Sequence, residues 1–173
     1  MPRALALIPL SLLAVGCSTE MSSSAPSAGG AHASLADATG AARGSATFVE
    51  TSGGLEVRIS GEALPAGTHG VHLHAVGRCD PPDFKSAGPH WNPMMKQHGR
   101  DNPEGAHAGD LPNLVVGADG RGMVRFTVPQ GSLSGLLDAD GAAVIIHADA
   151  DDYRTDPSGN SGGRIACGVI ERR

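Results

Sequence analysis

Short segments in which apolar and polar residues alternate run through the chain from Leu35 onward. Residues 55–59 alternate in this way, and the turn-forming residues 51–54 separate them from a similar segment around 46–48. A period of two places every second side chain on one face of a β-strand, so this pair predicts a hairpin. No segment keeps a helical period for more than two turns, which leaves strands as the main elements.

Further strands are expected where apolar residues alternate or form short runs between glycine-rich turns. These strands cover 71–74, 114–118, 123–128, 142–148 and 165–170. Many short strands separated by turns predict an all-β sandwich or barrel. The 25 glycines and 12 prolines also oppose a helix bundle, and aromatic residues at 3% require an aliphatic core.

Two stretches, 79–112 and 149–163, fit neither a strand nor a helix period. Loops of this length in a domain of ordinary size are usually functional or disordered. They contain much of the histidine and aspartate of the chain, so we expect the chemistry there. The formal net charge of −5, with no basic block, argues against a nucleic-acid partner.

The first residues have the pattern of an export signal. Arg3 precedes an apolar stretch over 4–15 that is too short to span a bilayer, and small residues lead to Cys17. We expect a signal peptide over 1–16, a flexible tether over 17–33 with a candidate lipidated Cys17, and a folded domain over 34–173. The alternative is a plain signal peptide cut nearby. Either way the expected location is the periplasm or cell envelope, with possible membrane anchoring through Cys17.

Three cysteines are present, Cys17, Cys79 and Cys167. If Cys17 carries lipid, an even pair remains in an oxidising compartment, where a disulfide is the default. Two reduced thiols are the alternative.

Histidine is the residue type that points to a metal. His72 and His74 are two apart in a predicted strand and share one face, and His147 ends another strand. The long loop adds three histidines and one aspartate, a set suited to tetrahedral Zn²⁺: His90, His98, His107 and Asp110. Binding a metal there would cross-link a loop that has little core of its own.

The motifs around these residues are GVHLH at 70–74, GPH at 88–90, HG at 98–99, HAGDL at 107–111, IHADADD at 146–152 and GNSGGRIACG at 159–168. Together they resemble the copper/zinc superoxide dismutases over about residues 34–172. The resemblance implies a Greek-key β-barrel or sandwich of about eight antiparallel strands with two long functional loops. It also implies one copper and one zinc in each chain.

The resemblance assigns a role to each motif residue. His72, His74 and His147 correspond to copper ligands, and His90 corresponds to an imidazole that bridges copper and zinc. The remaining implied roles are zinc ligation by His98, His107 and Asp110, outer support by Asp151, a disulfide between Cys79 and Cys167, and anion guidance by Arg164. The chain departs from many eukaryotic relatives in that only four residues separate His74 from Cys79.

The expected function is therefore dismutation of superoxide, a small anion, to dioxygen and hydrogen peroxide at a redox-cycling copper. The alternative is a non-catalytic carrier of copper or zinc on the same fold, because a fold does not fix a function. A carrier would be expected to lose part of one ligand set or the guiding arginine, and this chain keeps them. The family includes both monomers and homodimers.

Met94 and Met95, in the long loop, are expected to serve loop packing, with soft copper ligation as the alternative.

Overall fold

The structure is a computed structural model that describes Met1 and residues 29–173. The expected signal peptide, Cys17 and most of the expected tether lie outside the described residues. The strands are β1 (Ala31–Ala36), β2 (Ala42–Thr51), β3 (Gly54–Gly61), β4 (Gly67–His69), β5 (Val71–His74), β6 (Leu114–Val116), β7 (Gly122–Val128), β8 (Ala143–His147), β9 (Arg164–Val169) and β10 (Glu171–Arg172). A 3₁₀ turn at Lys85–Ala87 and one short helix, α1 (Leu133–Leu136), complete the described elements. The described helices are all too short to cross a membrane.

All strand pairs are antiparallel, and they form one sheet in the order β4-β6-β7-β3-β2-β1-β9-β8-β5, with β10 beside β1. The two strands at the ends of this order are separated in sequence by Gly70 alone. The sheet therefore curls into a nearly closed barrel. Pairings between strands distant in sequence, such as β3 with β7 and β1 with β9, distinguish it from an up-and-down barrel. The all-β fold class expected from the sequence is confirmed.

The alternating pattern of β3 accounts for its place in the barrel. Leu55, Val57 and Ile59 are buried, and Phe48 of β2 is buried in the same core. The β2–β3 ladder continues to a Thr51–Gly54 pair, so a two-residue turn joins the strands as predicted. The predicted hairpin between β6 and β7 is also present, with Val116 opposite Gly122.

Strand β1 begins at Ala31, inside the range 17–33 that the sequence analysis expects for the tether. Ala31 and Ala33 are buried, and Ala31 pairs with Phe48 of β2 and with Arg172 of β10. Alanine side chains are short enough to fit into the core here, but they give only a weak alternation of apolar and polar positions in the sequence. The strand is fixed by its partners rather than by local sequence preference.

A disulfide joins Cys79 to Cys167 of β9, with the two Cα atoms 5.7 Å apart. This confirms the expected pairing. Phe84 and Ala87 pack beside the disulfide against β8, in a small apolar cluster separate from the main core. The start of the first long loop is therefore attached to the barrel wall. In the chain-entropy account, closing a loop of this length stabilises the fold by roughly 4–5 kcal/mol before strain is subtracted.

Candidate metal centre

Strand β5 brings the first two histidines to the barrel wall. Val71 and Leu73 point into the main core, while His72 and His74 are buried on the opposite face. His147 lies at the end of the neighbouring strand β8. Two isolated bridges attach the long loop to the other side of β5, and they pair His72 with Asp110 and His74 with His90. Residues separated by many positions in sequence are thus brought into one place.

One group of ring nitrogens faces a common point. We call it the four-histidine cluster: His72, His74, His90 and His147. One nitrogen of each ring lies within 4.8 Å of the nitrogens of the other three. Nδ1 of His72 and Nε2 of the other three are buried and, within the described part of the chain, have no hydrogen-bond partner. Buried polar atoms are almost always paired, so four orphaned nitrogens that converge fit a metal ion.

The opposite nitrogen of each ring is held by the protein. His74 Nδ1 lies 2.8 Å from the carbonyl oxygen of Gly88, and His147 Nδ1 lies 3.3 Å from that of Gly162. These contacts determine which nitrogen faces the common point, because a hydrogen bond at one ring nitrogen sets the tautomer. The sequence could not predict that these two carbonyl oxygens orient the rings, because every residue has a backbone carbonyl oxygen.

A second group surrounds the carboxylate of Asp110. We call it the mixed cluster: His90, His98, His107 and Asp110. The Nδ1 atoms of the three histidines lie 2.9, 3.1 and 3.3 Å from Asp110 Oδ1, and those of His107 and His90 are 3.4 Å apart. Tetrahedral ligation with zinc–ligand bonds of about 2.0–2.1 Å places ligand atoms about 3.3 Å from one another. The donor types and spacings therefore fit zinc.

His90 belongs to both clusters. Its Nδ1 lies 2.9 Å from Asp110 Oδ1 in the mixed cluster, while its Nε2 is one of the orphaned nitrogens of the four-histidine cluster. One buried imidazole thus presents a different nitrogen to each site.

Asp151 connects the two clusters from outside. Its two carboxylate oxygens lie 2.8 Å from His72 Nε2 and 3.0 Å from His98 Nε2. Asn113 fixes the backbone of Asp151. Its side-chain nitrogen donates to the Asp151 carbonyl oxygen and its side-chain oxygen accepts from the Asp151 N–H, both at 2.9 Å. The position expected for Asp151 agrees with this geometry, whereas Asn113 was missed because it lies 38 residues away in sequence.

The glycine-rich segment before β9 leaves room for this connection. Gly159 has a φ of +63°, and a Cβ atom there would lie 1.8 Å from Asp151 Oδ1 and 2.7 Å from His98 Nε2. Any other residue would therefore displace the carboxylate that orients both rings. Glycine at this position is required by space as well as by backbone conformation.

The electrostatics of the buried groups follow from their partners. Burial lowers the pKa of His90 to about 4 and that of His147 to about 3. Burial also opposes protonation of His98, but its hydrogen bonds to Asp110 and Asp151 prevail and raise its pKa to about 9. Burial disfavours the Asp110 carboxylate as well, yet the surrounding ring and backbone N–H groups hold its pKa well below the usual range.

A cavity of about 850 Å³ opens beside the four-histidine cluster and is lined by His74, His90, His147 and Arg164 among others. Arg164 is half-buried, and its guanidinium donates to the carbonyl oxygens of Phe84 at 2.7 Å and Gly88 at 2.9 Å. The expected guiding arginine therefore faces the same space as the orphaned nitrogens.

Met94 and Met95 are 52% and 90% exposed, so the expected packing role is wrong for Met95.

Known proteins carry the same sequence pattern. A family model described as copper/zinc superoxide dismutase (SODC) matches residues 42–170. The chain belongs to the copper/zinc superoxide dismutase family. Among its relatives, the superoxide dismutase-like protein YojM of Bacillus subtilis is 48% identical over 151 residues, which cover 83% of this chain and 77% of the relative. The Cu-Zn superoxide dismutase of Deinococcus radiodurans is 39% identical over 181 residues, which cover 98% of this chain and 97% of the relative.

Solved structures of this superoxide dismutase family share the fold. A superoxide dismutase-like protein from Bacillus subtilis matches with a TM-score of 0.76 at 49% identity, covering 80% of this chain and 96% of that one. The Cu/Zn superoxide dismutase from Brucella abortus matches with a TM-score of 0.67 at 31% identity, covering 82% and 99%. The barrel fold is therefore common to this chain and these two proteins.

The buried imidazoles predict how the stability of the metal-free protein depends on pH. The pKa values of His72, His74, His90 and His147 are lowered on folding, so unfolding takes up protons below about pH 6.5. Together these groups should lower the free energy of unfolding as the pH falls from about 6.5 towards 4. The raised pKa of His98 acts in the opposite direction, since its contribution is complete below about 6.5 and is lost towards pH 9.

Denaturant unfolding of the metal-free protein should therefore show a stability maximum near neutral pH. His98→Gln should flatten the alkaline side of the profile, while a loss of stability on the acid side should remain. A stability that stays constant or increases from pH 6.5 to 5 would contradict the lowered pKa values of the four-histidine cluster.

Proposed function

We propose that this chain is a superoxide dismutase that binds one copper in the four-histidine cluster and one zinc in the mixed cluster. Two superoxide anions and two protons would give one dioxygen and one hydrogen peroxide. The observation that carries the proposal is the position of His90, whose Nδ1 contacts Asp110 of the mixed cluster while its orphaned Nε2 belongs to the four-histidine cluster.

The ligand types suit the two metals differently. Four imidazole nitrogens can hold copper, which when bound supplies one-electron redox chemistry. Three imidazoles and a carboxylate suit zinc, which has no redox chemistry and stabilises structure and charge. The carboxylate of Asp151 supports both sets, because each of its oxygens orients one ring.

The protein would supply the proton and the access path. His90 lines the cavity, and with zinc held at its Nδ1 this ring could carry a proton only at Nε2. A proton held there is directed towards a reduced oxygen species in the cavity. Arg164 adds a positive charge to the same cavity, in a chain whose formal net charge is −5.

A non-catalytic metal carrier is the second candidate. The observation that favours it is the name of one relative, which calls the 48% identical protein superoxide dismutase-like. The complete pair of clusters and the arginine in the cavity favour the enzyme instead. A carrier needs to bind and release metal, but it has no need for a shared imidazole or for a cation that faces a small cavity.

The test is the metal content and the superoxide consumption of one purified sample loaded with both metals. We expect one copper and one zinc per chain and superoxide consumption that disappears when copper is removed. Protein that holds both metals and consumes no superoxide would support the carrier. Copper without zinc after saturation with both would show that the zinc assignment of the mixed cluster is wrong.

Arg164 should control the rate rather than metal binding, because its hydrogen bonds go to carbonyl oxygens and not to the clusters. Arg164→Ala should retain both metals and slow superoxide consumption by about tenfold, since fields of this kind change association rates by about 10- to 1,000-fold. Arg164→Lys should recover part of the rate, because the positive charge remains. The recovery should be incomplete, because the planar guanidinium group is lost. Pulse radiolysis of the three proteins makes the comparison. Equal rates for wild type and Arg164→Ala would exclude Arg164 from guidance.

We also propose that the chain is exported and anchored through lipid on Cys17. The apolar stretch over 4–15 before this cysteine supports export, and the Cys79–Cys167 disulfide suits an oxidising compartment. Cys17→Ser should move the protein from the membrane fraction to the soluble fraction without changing its specific activity. A wild-type protein found entirely in the soluble fraction would contradict the lipid anchor and leave the plain signal peptide.

A further inference from the structure

We propose that a second cavity, between the metal-binding loop and the barrel, binds a small aromatic carboxylate. We call it the loop–barrel pocket: residues between 94 and 110 form one wall, and residues at the end of β7 and just after it, 126–130, form the other. Of the residues that line this pocket, Lys96 and His107 also line the metal cavity, and the others do not. Binding there needs no metal and no redox step, so the inference goes beyond the proposed function.

The barrel supplies an apolar floor for the loop–barrel pocket. Val128 is buried in the main core, and Phe126 is half-buried and packs against the same core. Met94 adds an exposed thioether from the loop side. A thioether sulfur makes favourable contacts with aromatic rings, and burial of a ring against apolar side chains removes apolar surface from water. These neighbours therefore suit an aromatic ring.

Two positive side chains border the apolar floor. Lys96 and Arg100 line the pocket, and within the described chain neither forms a salt bridge. The guanidinium carbon of Arg100 lies 4.4 Å from the centre of the Phe126 ring, and Lys96 Nζ lies 3.4 Å from the carbonyl oxygen of Gly105. Asp110 is the carboxylate of the lining, and its oxygens already accept hydrogen bonds within the metal-binding loop. The positive charges are therefore left to attract an anion.

The loop backbone holds Arg100 in this position. The N–H of Gly99 donates to Asp110 Oδ2 at 3.0 Å, and the N–H of Asp101 donates to the carbonyl oxygen of Tyr153 at 3.0 Å. The residues on both sides of Arg100 are thus attached to other segments. A ligand that uses this guanidinium would meet a group whose backbone is already fixed, which reduces the entropy lost on binding.

The size of the loop–barrel pocket limits the ligand. Its volume is about 220 Å³. An apolar cavity of about 150 Å³ holds benzene, whereas pockets for drug-sized ligands begin at about 300 Å³. One ring and one carboxylate group therefore fit, with the ring against Phe126 and Val128 and the carboxylate towards Arg100. The ligand class is a single-ring aromatic carboxylate, for which benzoate is the simplest probe.

A ligand in this pocket should also affect the mixed cluster. The loop wall contains His107 and Asp110, which belong to that cluster, and the opposite wall belongs to β7. A ligand that contacts both walls should hold the loop against the barrel and slow the loss of zinc. This consequence rests on the proposed function, whereas the binding of the carboxylate does not.

The binding experiment uses the full chain loaded with copper and zinc, with the copper reduced. An NMR titration compares benzoate with acetate, which has the charge without the ring, and with benzyl alcohol, which has the ring without the charge. Arg100→Gln removes a positive charge and Gln130→Glu adds a negative one, both at exposed positions of the lining. Arg121→Gln is the matched control outside both cavities, and Arg164→Ala reports binding in the metal cavity instead.

We expect benzoate to bind more tightly than acetate or benzyl alcohol and to shift the methyl signals of Val128 and Met94. Arg100→Gln and Gln130→Glu should each weaken binding about two- to fivefold, the range of exposed ion pairs, and both controls should match wild type. Benzoate that binds no more tightly than acetate, or equally well to Arg100→Gln and wild type, would overturn the pocket. A loss of binding confined to Arg164→Ala would also overturn it.

The second measurement is the rate at which zinc passes from the loaded protein to a chromogenic chelator. Saturating benzoate should slow this transfer, and acetate at the same concentration should not. Equal rates with and without benzoate would overturn the effect on the mixed cluster. Benzoate that binds with the expected pattern to a protein that retains no zinc would support the pocket and reject the zinc site of the proposed function.

Discussion

The imidazole of His90 is the point on which the whole centre depends. It is buried, it belongs to two ligand sets, and each of its nitrogens faces a different set. A shift of this ring by a fraction of an ångström would alter both sets at once, because ligand distances are narrow. Much of the surrounding structure can be understood as what holds this ring in place.

The support for the ring comes from the barrel and from the attached loop. The bridge between His74 and His90 holds the loop against β5, which is fixed in turn by its ladder with β8. The Gly88 carbonyl oxygen, two residues before His90, accepts from both His74 Nδ1 and Arg164 Nη2. The ring orientation and the guanidinium position are thus set by one segment of chain. The nearby disulfide attaches the beginning of that loop to β9.

The sequence predicted the parts of the structure that depend on local pattern. The β2–β3 hairpin followed from alternation and a glycine turn, and the two long loops were recognised because they lacked any period. The histidines were recognised by type and by their order in family motifs. Strand β1 was placed partly in the tether because alanines give a weak pattern, although the strand is fixed by its neighbours.

The remaining features depend on contacts between distant residues or on backbone atoms. Asn113 reaches Asp151 across 38 residues, and the carbonyl oxygens of Gly88 and Gly162 orient rings without any side chain. The exposure of Met95 is a property of the folded surface. None of these could be read from the order of residues, because each requires the folded arrangement of several segments.

We propose that the imidazole of His90 joins a copper ion to a zinc ion. The most direct measurement is anomalous diffraction at the copper and zinc absorption edges, from crystals of protein loaded with both metals. We expect a copper signal about 2 Å from His90 Nε2 and a zinc signal about 2 Å from His90 Nδ1. A single ion at His90, or copper and zinc mixed equally over both positions, would contradict it.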